Sequence, residues 1–332
     1  MIYLQVIKAK VVVLCLCMVC VIGVSQSLAG ETSLTYRLKW LFNVSAAGDV
    51  FAMEKGYFAA EGLDVKVKEG SPEKDAIKEL ELGYADFGVA SADQVIRALD
   101  KGADVVVLAQ IFQVNPMQWI YRDSHVNIRE PGDLKGCRIG ITYGGNDETI
   151  MKTLLAKGGL TLRDVKVTGV RFDFTPFLRN QVTFWPVYRN SQGVILADQL
   201  SREGESVGFF NPADFGVDFV ANSIVTSGRM AADQPDLVKQ FLTALLQAWE
   251  AAMDPARQEA VLKAVKKYDK GTQGQVHKAQ LDATRLLVKP DPDTRPGQIQ
   301  TKAWAQTEAI MLEQGLIKKA VKVTNRLLDG AF

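Results

Sequence analysis

The chain has 332 residues, 39 basic against 38 acidic side chains, and two histidines. Charge this close to neutral, with no basic run and no aromatic-basic interleaving, argues against nucleic acid as a partner. Three of the four cysteines fall within the first twenty residues, so the rest of the chain has no disulfide framework and no cysteine-rich metal site.

The N-terminal thirty residues read as an export signal. Lys8 and Lys10 form a positive start, and Val11 to Val24 an uncharged apolar run. Ser27-Leu28-Ala29 then places small residues at a cleavage site. The apolar run is short for a membrane span, although an uncleaved anchor is the alternative. Leu14, Leu16 and Val19 precede Cys15, Cys17 and Cys20, where a lipidation site would need a small residue. Cleavage near Ala29 yields a periplasmic chain with 37 basic and 38 acidic residues, and Cys137 as its cysteine. About 300 residues suffice for two lobes with their own cores.

From there strand-like and helix-like segments alternate, which predicts an α/β protein with mainly parallel sheets. Tyr36 to Phe42 reads as a strand, Asp49 to Glu61 as a helix, Leu63 to Lys68 as a strand and Lys74 to Leu82 as a helix. Phe87 to Ala90 is a buried strand. Ser91 and Gln94 then form a capping box that opens a helix through Leu99. Val105 to Gln113 is a continuous apolar strand. The pattern restarts with a strand at Cys137 to Thr142 and a helix at Glu148 to Lys157. Val165 to Val170, Phe184 to Tyr188 and Val207 to Phe210 are further strands, with helices near Thr175 to Gln181 and Val194 to Arg202. From Pro235 the chain is mostly helical; Leu237, Phe241, Leu245, Leu246, Trp249 and Met253 share one face that reads as core. Crossings between lobes are expected near Met117 to Arg122 and Val220 to Ser223. Lobe one then comprises 31–118 plus 223–332, and lobe two 119–222.

The segments EKGYFAAEGLDVKVKEG (54–70), LGYADFGVASADQVIRALDKGADVVVLAQI (82–111), DLKGCRIGITYGGND (133–147) and NPADFGVDFVANSIVTS (211–227), in this order, resemble the NMT1/THI5-like solute-binding family. That family includes receptors for thiamine pyrimidine precursors and is similar to alkanesulfonate and taurine receptors. The resemblance implies the type II periplasmic-binding-protein fold, two lobes joined by a two-crossing hinge, and an ABC permease and ATPase as partners. The family's first-strand pattern matches Trp40, Asn43 and Gly48. Its pyrimidine synthases carry a Pro and a His inside that pattern, where this chain has Phe42 and Ala46, and a cysteine cluster that lone Cys137 does not supply. The synthase reading is weakened accordingly.

Ligands of open α/β sheets sit beyond the carboxyl ends of the strands, and four loops meet that rule. In Asn43 to Gly48, Asn43 offers donors and an acceptor and Ser45 permits close approach; an Asx-turn is the alternative for Asn43. Ser91 and Ala92 open a helix whose free N–H groups can hold an oxygen, or simply cap it. Tyr143, Gly144, Gly145 and Asn146 bring backbone close to a ligand, with Asn146 or Asp147 also able to cap a helix. Trp185, Tyr188 and Asn190 suit a flat polar heterocycle, with one ring alternatively core. Asn115 near the first crossing can bind or order the hinge, and Asp218 can pair with an amino group or form a structural link.

Catalysis needs a poised group with a partner. His125 lies in a polar turn and His277 in a Lys/Gln-rich helix, and no catalytic motif is present. The sequence therefore reads as a non-enzymatic, cofactor-free monomeric receptor for a flat heteroaromatic solute. A sulfonate or other small anion is the second ligand, and a membrane sensor the alternative partner.

Overall fold

The computed structural model describes residues 32–122, 128–171 and 173–328. The predicted signal and His125 lie outside them. Ten strands are described: β1 Thr32–Arg37, β2 Leu63–Lys68, β3 Phe87–Ala90, β4 Val105–Gln110, β5 Met117–Arg122, β6 Arg138–Ile141, β7 Lys166–Gly169, β8 Trp185–Tyr188, β9 Val207–Phe210 and β10 Ser223–Ser227. They form a five-stranded sheet in the order β2-β1-β3-β10-β4, a three-stranded sheet β8-β5-β9 and a two-stranded sheet β6-β7.

The apolar runs of β3 and β4 are explained by cover on both faces of the large sheet. One face packs Phe87, Leu108 and Ile224 against the helix Pro235–Met253, with the Phe241 ring stacked on Phe87 at 3.8 Å. The other face packs Val105, Val107 and Val225 with Ile77, Ile96 and Trp304. Phe241, Leu245, Trp249 and Met253 are buried as the helical periodicity demands. In the smaller sheets, Trp119 of β5 is fully buried and donates from Nε1 to Gly140 O of β6 at 3.3 Å. A parallel bridge, Ile139 to Phe184, ties β6 to the start of β8.

Four departures from the sequence reading have physical causes. The sheets are mixed: β10 runs antiparallel between β3 and β4, and β5 is antiparallel to both β8 and β9. Apolar runs report burial and carry no strand direction. The first strand ends at Arg37, whose guanidinium is held by Glu79 (2.7 Å) and Glu69 O (2.5 Å); residues 38–43 turn off the sheet. The single helix expected over Asp49 to Glu61 is two, Ala47–Glu54 and Tyr57–Ala60, broken at Lys55 and Gly56. Finally, the segment expected to cross between lobes, Met117 to Arg122, is the central strand of the three-stranded sheet. The chain leaves the large sheet before it, between Gln110 and Met117, and returns between Phe210 and Ser223.

Candidate ligand-binding cleft

Between the large sheet and the smaller sheets lies a partly open cleft of about 120 Å³, lined by residues of both sides. That is of the order of the roughly 150 Å³ apolar cavity that admits one benzene ring.

The large-sheet wall is built from the turn after β1 and from helix starts. Lys39 Nζ donates to Ser91 Oγ (2.8 Å) and Gln94 Oε1 (3.0 Å). Ser91 Oγ in turn donates to Asp93 Oδ1 at 2.6 Å, and Gln94 Nε2 donates to Asp75 Oδ2 at 3.2 Å. Burial pulls the Lys39 ammonium down to about 8, against the opposing pull of Asp93, Asp75 and Asp147. Asp49 is also buried; its Oδ1 accepts from Tyr36 Oη (2.7 Å) and Trp249 Nε1 (3.3 Å). Burial raises its carboxyl to about 7, and those hydrogen bonds act in the other direction. Gly48 is required here, because a Cβ would lie 2.1 Å from Trp249 Cδ2. Asn43 caps the short 3-10 helix Val44–Ala46, accepting from Ser45 N at 2.7 Å.

The small-sheet wall begins with the turn from β6 into the helix Asn146–Lys157. Asp147 folds back so that Oδ2 accepts from Thr142 N at 2.6 Å. Only glycine fits at 145, since a Cβ would meet Asp147 Oδ1 at 2.4 Å. Burial raises the Asp147 carboxyl to about 7, opposed by its backbone hydrogen bonds and by Lys39 across the cleft. Asn146 is 3% exposed, lines the cleft, and its Nδ2 meets no hydrogen-bond acceptor. The Tyr188 hydroxyl donates to Asn222 Oδ1 at 3.2 Å, and burial raises its pKa well above that of free tyrosine. Trp185 lines the cleft at 1% exposure, wedged against Phe174 and Phe177.

The walls meet directly. Arg97 Nη1 donates to Thr149 Oγ1 (2.7 Å), and Asn190 Nδ2 donates to Thr284 Oγ1 (2.8 Å) and Ser45 Oγ (3.2 Å). At the rim Arg171 pairs with Glu73 at 2.5 Å. The lining thus sets Asp49, Asp75 and Asp147 against Lys39 and Arg171, and the arginine already faces a carboxylate.

Of the sequence-derived candidates, Trp40, Asn43, Ser45, Gly144, Gly145, Asn146, Trp185 and Tyr188 line this space. The others are placed elsewhere. Ser91 is held behind Lys39, and Ala92 N–H is taken by Val220 O at 3.0 Å. Asn115 ties the two connections between the sheets together, with Nδ2 on Phe219 O (2.5 Å) and Oδ1 accepting from Met117 N (2.9 Å). Tyr143 is 59% exposed with its ring edge against Gly169, Asn190 joins the walls behind the lining, and Asp218 is exposed outside it. His277 is buried in the helix Gly274–Val288, 3.1 Å from Asp269 Oδ2, away from the lining and less bland than its Lys/Gln-rich neighbours suggest. Sequence reasoning missed Lys39, Asp49, Gln94, Asn222 and the rim arginine Arg171. A signal existed for Lys39, the charged residue inside Leu38-Lys39-Trp40-Leu41-Phe42.

These features define a periplasmic-binding-protein architecture of type II. Solved structures of the same fold include the alkanesulfonate-binding protein SsuA from Xanthomonas axonopodis pv. citri bound to MOPS, with TM-score 0.68, 20% identity, and 90% of this chain and 99% of that one covered. The desulfurization enzyme DSZB has the same fold, with TM-score 0.62, 14% identity, and coverage of 90% and 97%. The chain belongs to the NMT1/THI5-like family, whose model matches residues 43–259. It is 25% identical over 297 residues to a putative thiamine biosynthesis protein of Haemophilus influenzae, covering 88% of this chain and 90% of that protein. It is 26% identical over 216 residues to the formylaminopyrimidine-binding protein of Halalkalibacterium halodurans, covering 64% of each.

Proposed function

We propose that this chain is the exported receptor of an ABC importer and reversibly binds a flat, one-ring heteroaromatic solute of the aminopyrimidine kind. The observation that carries the reading is the cleft's make-up: Trp40, Trp185 and Tyr188 beside three carboxylates, with Lys39 already held by Ser91 and Gln94. Flat rings pack on aromatic faces, and carboxylates accept from exocyclic amino groups. The name of the Halalkalibacterium relative supports the same solute class. One lobe carries the five-stranded sheet and the other the two smaller sheets, with crossings between Gln110 and Met117 and between Phe210 and Ser223, and they close over the solute by contacts made only when both engage. The receptor works in the periplasm as a monomer, after cleavage near Ala29, and docks on a permease served by an ATPase. A sensing role would use the same closure.

A sulfonate is the second reading, favoured by the likeness to SsuA. The cleft acids oppose it, because a fixed anion would sit near Asp75 and, above pH 7, near ionised Asp49 and Asp147. Catalysis is disfavoured by the bonding of the candidate groups: Ser91 gives its proton to Asp93, and His277 is buried against Asp269.

A thermal-shift screen of the mature protein with pyrimidines, other vitamin precursors and sulfonates tests the solute class. Stabilisation by sulfonates alone would sink the heterocycle reading. Unchanged affinity for the identified solute in both Trp185→Ala and Tyr188→Ala would remove the aromatic contact.

A further inference from the structure

The capping box of the sequence, Ser91 and Gln94, is joined to more than its own helix. Both side chains hold the cleft lysine, Lys39, and Ser91 passes its own proton inward to Asp93 Oδ1 at 2.6 Å. The other oxygen of Asp93 accepts from Arg97 Nη2 at 2.9 Å, one turn along the helix Ala92–Asp100. Asp93 is fully buried, so these contacts rather than water balance its charge. Arg97 directs its other amino group, Nη1, to Thr149 Oγ1 at 2.7 Å, on the opposite side of the cleft.

Thr149 lies one turn into the helix Asn146–Lys157, whose first two residues line the cleft; Gln94 lines it from the facing helix. The Arg97 bond therefore fixes the separation of the two helices that carry these lining residues. Thr149 is buried, whereas the Arg97 side chain is 26% exposed. Water reaches the guanidinium and Asp93 keeps it in place, so the bond to Thr149 can break and re-form without stranding a charge. The other contacts between the walls are of different kinds. Asn190 meets Thr284 with both side chains wholly buried and uncharged. Arg171 and Glu73 meet at the rim, where exposure makes an ion pair worth little. The Arg97 bond alone of these three combines a fixed charge, a buried acceptor and access to water.

Resting on the receptor reading above, we infer that Arg97 is a positioning residue for closure: its bond to Thr149 stabilises the closed arrangement and slows solute release without touching the solute. Apparent affinity rises with the share of molecules in the binding-competent arrangement. In the solute-free protein the same bond sets that share.

The test is stopped-flow tryptophan fluorescence on the mature protein with 4-amino-5-hydroxymethyl-2-methylpyrimidine as probe, since Trp40 and Trp185 line the cleft. Thr149→Val keeps the shape and removes the acceptor, while Thr149→Ser keeps the acceptor and removes a methyl group. Thr149→Val is expected to release the probe roughly five- to tenfold faster, with an association rate within about twofold of wild type. Thr149→Ser should release it at the wild-type rate; unliganded melting curves establish that both variants fold. Packing alone would give the reverse order, with Thr149→Ser the more impaired, and that order overturns the inference. Equal release by wild type and Thr149→Val also overturns it, and there the receptor reading stands. If wild type does not bind the probe, the solute reading fails, and distances between spin labels decide the inference by themselves. With labels at the exposed positions Glu81→Cys and Lys166→Cys in a Cys137→Ser background, Thr149→Val should move the solute-free distribution to longer distances. A distribution unchanged by Thr149→Val would overturn the inference there.

Discussion

The two walls of the cleft are held by similar hydrogen bonds but differ in what they present to a solute. On the large-sheet wall, Lys39 is held by Ser91 and Gln94, Asp49 by Tyr36 and Trp249, and Asp75 by Lys78 N and Gln94. Charges fixed by their neighbours are preorganised: they set the field in the cleft and need little rearrangement when a solute arrives. The small-sheet wall has an equally satisfied turn around Asp147 and adds the Tyr188 and Trp185 rings beside the buried Asn146 amide. The first wall carries most of the lining charge, and the second most of the aromatic rings. Substitutions on the two walls should therefore differ in what they damage.

The largest stability effect is expected on the large-sheet wall. Gly48→Ala would drive a methyl into the Trp249 indole, which is buried and cannot swing away. Overpacking of this kind costs about 3 kcal/mol, which lowers Tm by roughly 6–10 °C in a chain of this size. Gly145→Ala on the other wall meets Asp147 Oδ1 at 2.4 Å and Thr142 O at 2.9 Å, so the turn must shift, though by less than the Trp249 indole would have to. Its stability cost should be nearer 2 kcal/mol, with a larger proportional loss of solute affinity. Equal melting shifts in the two variants would erase the distinction between the walls.

Next in size is a pH effect shared by both walls. Asp49 and Asp147 have folded values of about 7, raised from 3.8 by burial. A raised value means that the folded state holds the proton more tightly, so each contribution is fully present below about 4 and lost as pH rises through 7. Lys39 is depressed from 10.5 to about 8, so its contribution is present above 10.5 and lost as pH falls through 8. From pH 7 to 5 the carboxylates therefore dominate, and the solute-free protein should gain on the order of 2 kcal/mol per carboxylate. Denaturant melts at both pH values check this, and Asp49→Asn should remove about half of the gain. A protein less stable at pH 5 than at pH 7 would contradict the burial of these acids.

Tyr188→Phe should cost about 1 kcal/mol of stability through the lost bond to Asn222 and change affinity by no more than about threefold, because the ring remains. The smallest effect belongs to the rim. Arg171 and Glu73 are 66% and 52% exposed, so Arg171→Ala should alter stability by less than about 0.5 kcal/mol. A loss of affinity above about fivefold in that variant would mean that the arginine faces the solute rather than Glu73.

How much of this could be read from the sequence followed the range of each interaction. Local patterns were legible: the β3 and β4 runs, the core face from Phe241 to Met253, and the Gly144-Gly145-Asn146 turn. The family pattern of Trp40, Asn43 and Gly48 was legible as letters, but the reason for its glycine is the Trp249 indole about two hundred residues away. Strand direction was not legible, since β10 must cross the chain to run between β3 and β4. Lys39 and Asp49 escaped because a charged residue in a short apolar segment reads as a surface residue until its partners, Gln94 and Trp249, are brought to it. Asn190 and Asn115 were recognised as useful amides, yet long-range partners, Thr284 and Phe219, claim them for joining parts of the fold.

The most direct test of the central claim is a calorimetric titration of the mature protein at pH 7 with 4-amino-5-hydroxymethyl-2-methylpyrimidine and, separately, with an alkanesulfonate of similar size. The acidic, aromatic cleft should give saturable binding of the pyrimidine at micromolar concentration or below, and no heat with the sulfonate. Saturable sulfonate binding with no pyrimidine response would contradict the account.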